Sequence, residues 1–535
     1  MRHNTIMLWK NPVFYVSAAV ILSLAILGAI IPEAFGNVAG SLFRFTTMNF
    51  GWFYLIAVFL IIVFLIGLAV SKYGSIRLGG EREKPEFPFF TWISMLFSAG
   101  FGVGLVFYGV AEPMSHFITP PYASGEALTP DAARVAMGYS FFHWGVSQWA
   151  VFALMGLAIA FLQFSKKGNG LVSTALEPVT GSRPAVKNTI DSLAIIATVM
   201  GVATSLGLGV MQMNGGLGAV FGYQGGYGTQ LIIMGLLFIS YMLSSSTGLQ
   251  KGIRYLSNLN LGLALGLLLF VFFTGPTVFI LETFTVALGD YFSDFIHHSL
   301  RMQPYLGGSW VREWTIFYWA WAIAWSPFVG AFIARVSKGR TIREFVLGVM
   351  TVPPAIACLW IATFGGTALW HDLYAGTSIA SAVQNDLTSA LFVTFENLPF
   401  TNMLSIVSIL LILTFLVTSA DSATFILASM SSFGNLNPTL LAKIVWGVLI
   451  SVIAAVLLRA GGLEALQTAS LISALPFTVV LVLLIASLIM LLRKEPLPIR
   501  KADLKRFRRL EEASRDKGHN RHSEPSDYSD EGGQR

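Results

Sequence analysis

Trp314-Thr-Ile-Phe317-Tyr318-Trp319-Ala-Trp321-Ala322-Ile-Ala324-Trp325-Ser326-Pro327-Phe328-Val-Gly330-Ala-Phe332 holds the key to this chain. Positions 314, 318, 321, 325, 328 and 332 are all aromatic and recur by four or three, so one stripe of a helix is aromatic from end to end. A Trp belt at a membrane surface sits at one depth, whereas this stripe runs the length of the helix. Pro327 interrupts the segment and is expected to free a backbone carbonyl. Aromatic faces beside exposed carbonyls suit a cationic organic solute. The ordinary alternative is packing.

The surrounding chain is built for lipid. Of 535 residues 55% are hydrophobic and 12% charged, with a mean hydropathy of +0.69; soluble domains carry about 25% charged residues. A membrane helix needs about 20 apolar residues, and about twelve stretches offer a core of that kind, from Phe14–Ile31 to Leu471–Leu492. The Leu231–Leu243 core is short, and Pro327 breaks the eighth. Arg2 and Lys10 precede a long apolar run with no small-residue cleavage site, which reads as a retained first helix.

Basic residues recur at alternate connections: Lys72–Lys84, Lys166–Lys187, Lys251 and Arg254, Arg335–Arg343, and from Lys494 onward. By the positive-inside rule both termini are expected in the cytoplasm. The net charge of +6 follows this topology and does not point to nucleic acid. Cys358 is the single cysteine, which excludes a disulfide framework or a Cys metal site.

The expected order is a cytoplasmic N-terminus with two leading helices (1–85), five helices (86–280), an outer interfacial piece (281–310), five more helices (311–493) and a polar tail (494–535). Leu281–Ser299 carries charge among its apolar residues and suits a helix lying in the interface. The tail begins with a basic stretch at 500–509 that serves either as contact with anionic lipid or as a solvated flank. Osmotic sensing through this stretch is a further expectation, to be tested by truncation after Arg493.

The third segment, Ser98-Ala-Gly100-Phe101-Gly102-Val-Gly104-Leu-Val-Phe107-Tyr108-Gly109, is also unusual. Its glycines serve either close helix packing or the approach of a ligand to the backbone. Segments three and eight lie five helices apart, so they start two five-helix halves of opposite orientation, the arrangement of an inverted repeat. Segment four carries His143-Trp144 and Ser147-Gln148-Trp149, with Phe152 one turn on. Segment ten carries Phe415, Thr418, Ser419 and the intramembrane Asp421. Hydroxyls and carbonyls are the hard ligands an alkali cation takes, and the alternative is hydroxyls bonded back to their own helix.

The glycine run, the His143-Trp144…Trp149 set, the Trp319-Ala-Trp321…Trp325-Ser-Pro-Phe328 run, its continuation to Phe345, and Thr418–Ser422 together resemble betaine–choline–carnitine transporters. The likeness implies an all-α, leucine-transporter-like membrane fold: two leading helices and inverted repeats of helices 3–7 and 8–12, usually as a homotrimer. It also implies secondary active import of zwitterionic compatible solutes, commonly with sodium, and no other cofactor. By the same likeness Trp144, Trp149 and Phe152 form one wall of the solute box. Trp325 forms the other, with Phe328 nearby. Ser98, Phe101, Phe415, Thr418 and Ser419 form a sodium site, and Thr198 and Ser205 contribute to a second sodium and solute region.

The chain departs from the family pattern in ways that bear on the solute. Ala322 stands where a Trp is usual, Phe152 where a Tyr is, Ser147-Gln148 where His-Pro is, and Val202 where a Thr is expected. A box with one indole fewer and two polar side chains more favours a cation whose charge is spread over N–H groups. That points to ectoine or hydroxyectoine, with glycine betaine, choline or carnitine transport and sodium-independent exchange as alternatives. An enzyme is disfavoured because no metal-ligand cluster is evident in the sequence and His143 reads as an isolated structural hydrogen-bonder. A channel is disfavoured because the aromatics would block it.

Overall fold

The computed structural model describes residues 10–496 apart from 101, 124, 224, 247–249 and 306. No strand forms among them, and the helices account for nearly the whole chain. In order they are α1 (Pro12–Ile30), α2 (Pro32–Val70), α3 (Phe89–Gly100), α4 (Val103–Ile118), α5 (Pro130–Trp144), α6 (Val146–Ala160), α7 (Val172–Thr180), α8 (Pro184–Phe221) and α9 (Tyr227–Ser246). Then follow α10 (Gln250–Thr274), α11 (Thr277–Leu300), α12 (Trp310–Glu313), α13 (Thr315–Val336), α14 (Ile342–Tyr374), α15 (Ile379–Asn385), α16 (Ala390–Phe395), α17 (Thr401–Met430) and α18 (Leu440–Leu492). Proline supplies the first turn of α1, α2, α5 and α8, where its missing N–H costs nothing. Thr341 and Glu344 close a reciprocal cap at the start of α14.

Ten helical stretches among the described residues are long and apolar enough to cross a bilayer, α5 and α6 counting together as one. The 53-residue α18 turns at Gly462 (φ 57°) and supplies two crossings. The pair α3–α4 supplies one more, neither half being long enough alone. Twelve crossings result, as the apolar pattern implies, and the short Leu231 core lies within the 20-residue α9. Crossings three and eight, five apart, run in opposite directions through the membrane.

The third and eighth segments differ in a way the sequence did not imply. The third breaks after Gly100, and Gly102 (φ −147°, ψ 169°) enters α4 with an extended backbone. The eighth does not break: α13 runs unbroken through Pro327. The carbonyl that Pro327 leaves without an N–H partner, that of Ile323, accepts the Ser326 hydroxyl at 2.8 Å. A local side chain therefore repairs the ladder, and the expected free carbonyl is not available to a solute. The fourth segment breaks instead, at Gly145, where the Val146 N–H donates to the Tyr291 hydroxyl at 2.8 Å.

The site is positioned by the crossing of α6 and α13. A Cβ on Gly330 would lie 2.9 Å from the Gly156 nitrogen, so the two backbones touch at this pair of glycines. The same contact sets Trp149 and Phe152 across from Trp325 and Phe328. Helix α13 is buried on nearly every side, with Phe317, Tyr318, Trp319 and Ala320 inaccessible. It packs against α6, α8 and α18, and α8 lies along α18. The connection before α14 is tied to the one after α2: the Leu78 N–H donates to the Arg340 carbonyl at 2.9 Å and the Gly339 N–H to that of Leu78 at 2.8 Å.

Helix α11 covers the expected interfacial segment and is not among the membrane-length apolar helices. It docks on α5 through a bidentate Arg134–Asp290 pair at 2.8 and 2.7 Å. The basic stretch of the tail lies outside the described residues. His298 of α11 sits 4.1 Å from the Tyr139 ring, centre to centre. Burial pushes the His298 imidazole down from 6.5 to about 4. Between those values the unfolded chain takes up a proton that the folded one refuses, so stability falls as pH drops through this window. The detergent-solubilised protein is expected to melt at a lower temperature at pH 4.5 than at pH 7, and His298→Phe to flatten that dependence. Equal slopes in both proteins would refute the assignment.

Candidate functional site

Two small cavities meet at Trp325 and Gly102. The first, of about 40 Å³, is lined by Gly102, Gly104, Leu105, Trp144, Gln148, Trp149, Phe152, Trp321, Ala322 and Trp325. The second, of about 110 Å³, is lined by Gly102, Trp325, Phe328, Val329 and Phe332, by Phe415, Thr418, Ser419 and Ser422 of α17, and by Ser257 and Asn260 of α10. The aromatic and polar candidates of segments four, eight and ten are thus largely brought together, divided between two chambers with the Trp325 ring in both walls.

The aromatic stripe is continuous in space. Ring centres step from Trp314 to Tyr318 (6.3 Å), to Trp321 (6.4 Å), to Trp325 (6.2 Å) and to Phe328 (5.6 Å). On the facing wall Trp149 and Phe152 meet edge-on at 5.3 Å, and Trp144 stands at 89° to Trp321. Gly104 is what admits the last pair: a Cβ there would collide with Trp321 and lie 3.2 Å from Trp144. The glycine run therefore allows close packing and an extended backbone at one point. Gly102 opens the backbone at a helix N-terminus, and Gly104 and Gly109 allow close packing, the latter against Trp360.

Several buried polar atoms of the box have no protein partner: the Trp321 and Trp325 indole nitrogens and Gln148 Oε1; Ser147 Oγ is likewise unpaired but lines neither chamber. Such groups cost free energy unless something pairs with them. In the second chamber Asn260 donates to the Thr418 hydroxyl at 3.3 Å while its own Oδ1 stays unpaired. Thr418 in turn donates back to the carbonyls of Thr414 and Phe415. Asp421, in the same helix, accepts the Ser244 hydroxyl at 2.6 Å.

Other candidates stand apart from the chambers. Thr198 and Ser205 donate to Ala194 and Gly201 of their own helix and line neither cavity. Helix α8 reaches the box through Gly201 instead, where a Cβ would stand 2.7 Å from the Trp325 ring. Phe101 lies outside the described residues, as does the side chain of Ser98, and Gly100 is the last residue of α3. Ser257 and Asn260 are new; a lone Ser and Asn in an apolar helix carry little signal beyond their polarity.

His143 is not isolated. Its Nδ1 lies 2.6 Å from Glu112 Oε1 and its Nε2 2.9 Å from Thr315 Oγ1. With His116 these groups form a buried set whose ligand atoms lie within 4.8 Å of one another, a cluster not evident from the sequence. Its reading as a structural hydrogen-bonder agrees with these partners. Glu112 was legible as a carboxylate inside an apolar segment, the same signal that singles out Asp421. A third cavity, of about 530 Å³, holds Arg44, Arg312, Glu313 and Glu464 and reaches Tyr108 and Trp314, on the far side of the stripe from Phe328.

Twelve crossings, discontinuous helices and an aromatic box at their centre define a membrane transporter. The profile of the betaine/carnitine/choline transporter family matches residues 12–497, and the chain belongs to that family. It is 65% identical over 485 residues to the ectoine/hydroxyectoine transporter of Virgibacillus pantothenticus, covering 91% of this chain and 97% of that one. It is 45% identical over 498 residues to the glycine betaine transporter OpuD of Bacillus subtilis (92% and 96% covered). It is 39% identical over 506 residues to the betaine/ectoine transporter LcoP of Corynebacterium glutamicum (91% and 78% covered).

Gly104→Ala is expected to drive Trp144 and Trp321 apart and to weaken tetramethylammonium binding in the box at least tenfold, with folded yield unchanged. Titration of intrinsic tryptophan fluorescence reads this directly.

Proposed function

We propose that this chain is a sodium-coupled importer of zwitterionic compatible solutes, taking ectoine and hydroxyectoine ahead of glycine betaine. The observation that carries the solute preference is the unpaired, buried Gln148 Oε1 in a box where Ala322 replaces an indole. A trimethylammonium group has no N–H and is held by aromatic faces alone, at about 0.5–2 kcal/mol per face. The cyclic amidinium of ectoine shares its charge over N–H groups and needs acceptors as well as faces. Gln148 offers one acceptor, while Trp149, Phe152 and Trp325 keep the faces. The solute carboxylate is assigned to the indole N–H groups of Trp321 and Trp325 and the positive N-terminus of α4 at Gly102. The 65% identity to a protein named for ectoine and hydroxyectoine supports the same reading.

Sodium is assigned to the second chamber, where Phe415, Thr418 and Ser419 face Gly102 and no Lys or Arg is among the lining residues. In this reading the protein sits in the cell membrane as a homotrimer. Both termini are cytoplasmic, the basic tail lies against anionic lipid, and the larger cavity at Arg44 and Arg312 opens outward.

Gln148→Ala should weaken ectoine uptake about tenfold, since hydrogen bonds to charged groups contribute about 1.5–3 kcal/mol, and leave betaine within twofold. Ala322→Trp should shift competition toward betaine. Wild-type protein whose labelled ectoine uptake is displaced preferentially by betaine would sink the ectoine reading. Replacing sodium by potassium is expected to reduce uptake to background; undiminished uptake would favour sodium-independent exchange.

A further inference from the structure

Glu112 is a wholly buried carboxylate with no part in the roles above. On α4 it lies one turn past Tyr108 and two turns past Gly104, roughly 12 Å from the box floor by helix rise. It lines neither space, and lies behind the ring layer that divides the solute box from the larger cavity ending on Tyr108 and Trp314. Oε1 faces His143 Nδ1 at 2.6 Å and His116 Nε2 at 3.3 Å. Oε2 accepts the Trp144 indole N–H at 2.9 Å and the Tyr318 hydroxyl at 2.5 Å. One carboxylate thus holds a wall of the box and a rung of the aromatic stripe together.

One assignment of the ring hydrogens makes every described contact of the set a hydrogen bond to an ionised Glu112. Buried His116 Nδ1 has no partner, which suits a bare nitrogen and leaves the single N–H on Nε2, pointing at Glu112. His143 with its hydrogen on Nδ1 leaves Nε2 to accept from Thr315. Both imidazoles are then neutral, and Trp144 and Tyr318 donate to the other oxygen. In that assignment four neutral donors satisfy the anion, and no Lys or Arg is among its described partners to cancel the charge. The other titratable groups packed around it are Tyr108 and those already named, on α4, α5 and α13.

A unit charge roughly 10 Å away, at an effective dielectric of about 20, changes the affinity of a cation by about tenfold. We infer that Glu112 is the charge-selecting and positioning residue of the entry path: it sets Trp144 and Tyr318 at the mouth of the box and favours solutes whose leading end is positive. This rests on the assignment of the box as the solute site.

Glycine betaine and 3,3-dimethylbutanoate have the same shape, the second having a neutral tert-butyl group in place of trimethylammonium. Their affinities for the purified protein, by tryptophan fluorescence, give a charge-discrimination ratio. Glu112→Gln removes the charge at nearly constant size: its oxygen keeps Trp144 and Tyr318 and its amide donates to the alternative tautomers of both histidines, leaving the His116 Nδ1–H without a partner. It is expected to lower the ratio about tenfold, and Glu112→Asp to keep it within twofold. Equal weakening of both ligands in Glu112→Gln, or an unchanged ratio, overturns the proposal while the solute site stands. Wild-type protein that binds neither ligand overturns the solute site and this inference together. Should Glu112→Gln not purify, Glu112→Asn against Glu112→Asp makes the same comparison, and equal ratios there are likewise decisive against it.

Discussion

Inside hydrocarbon every backbone N–H and C=O has to find a partner within the protein, and the breaks in this chain occur where that condition can be met. At Pro327 the lost hydrogen bond is replaced one residue away by Ser326, so α13 stays straight enough to carry its aromatic stripe. At Gly145 the exposed N–H of the next residue is taken by Tyr291 of the interfacial helix. At Gly102 it is not repaired in the same manner. The extended backbone there opens onto both small chambers, and the first turn of α4 faces them. Side chains close the gaps at Pro327 and Gly145, and at Gly102 the backbone stays extended.

Much of this was legible from residue types alone. Hydropathy gives the approximate number of crossings because about twelve apolar stretches recur along the chain, and the three-and-four spacing gives the stripe because a helix places those positions on one face. The walls of the box at Trp144, Trp149, Phe152 and Trp325 came from the family likeness, and these residues line the small chamber. The continuity of α13 was not legible, because proline signals a lost hydrogen bond and does not say which neighbour replaces it. The separation of Thr198 and Ser205 from the chambers was hidden for a related reason: a buried hydroxyl in a helix satisfies itself on the preceding turn unless something competes.

The Glu112 network was missed because its members are scattered over α4, α5 and α13, and none is unusual by spacing. His143 looked isolated in the chain because its partner lies 31 residues away. Asn260 and Ser257 reached the second chamber from α10, a helix whose sequence carries no motif. Such contributions are set by which helix faces pack together. The close glycine contact of α6 with α13 decides that for the aromatic walls, and the neighbouring helices fill the remaining sides.

The chamber enclosed by Trp144, Trp149, Phe152 and Trp325 measures only about 40 Å³. That is room for a few water molecules and less than an osmolyte needs. On the proposed assignment of the solute to this box, the rings separate to admit it, and the apparent affinity is the intrinsic one reduced by the fraction of protein in that conformer. Tight ring packing therefore acts as a threshold on occupancy. It also makes weak apparent binding compatible with a well-fitted box.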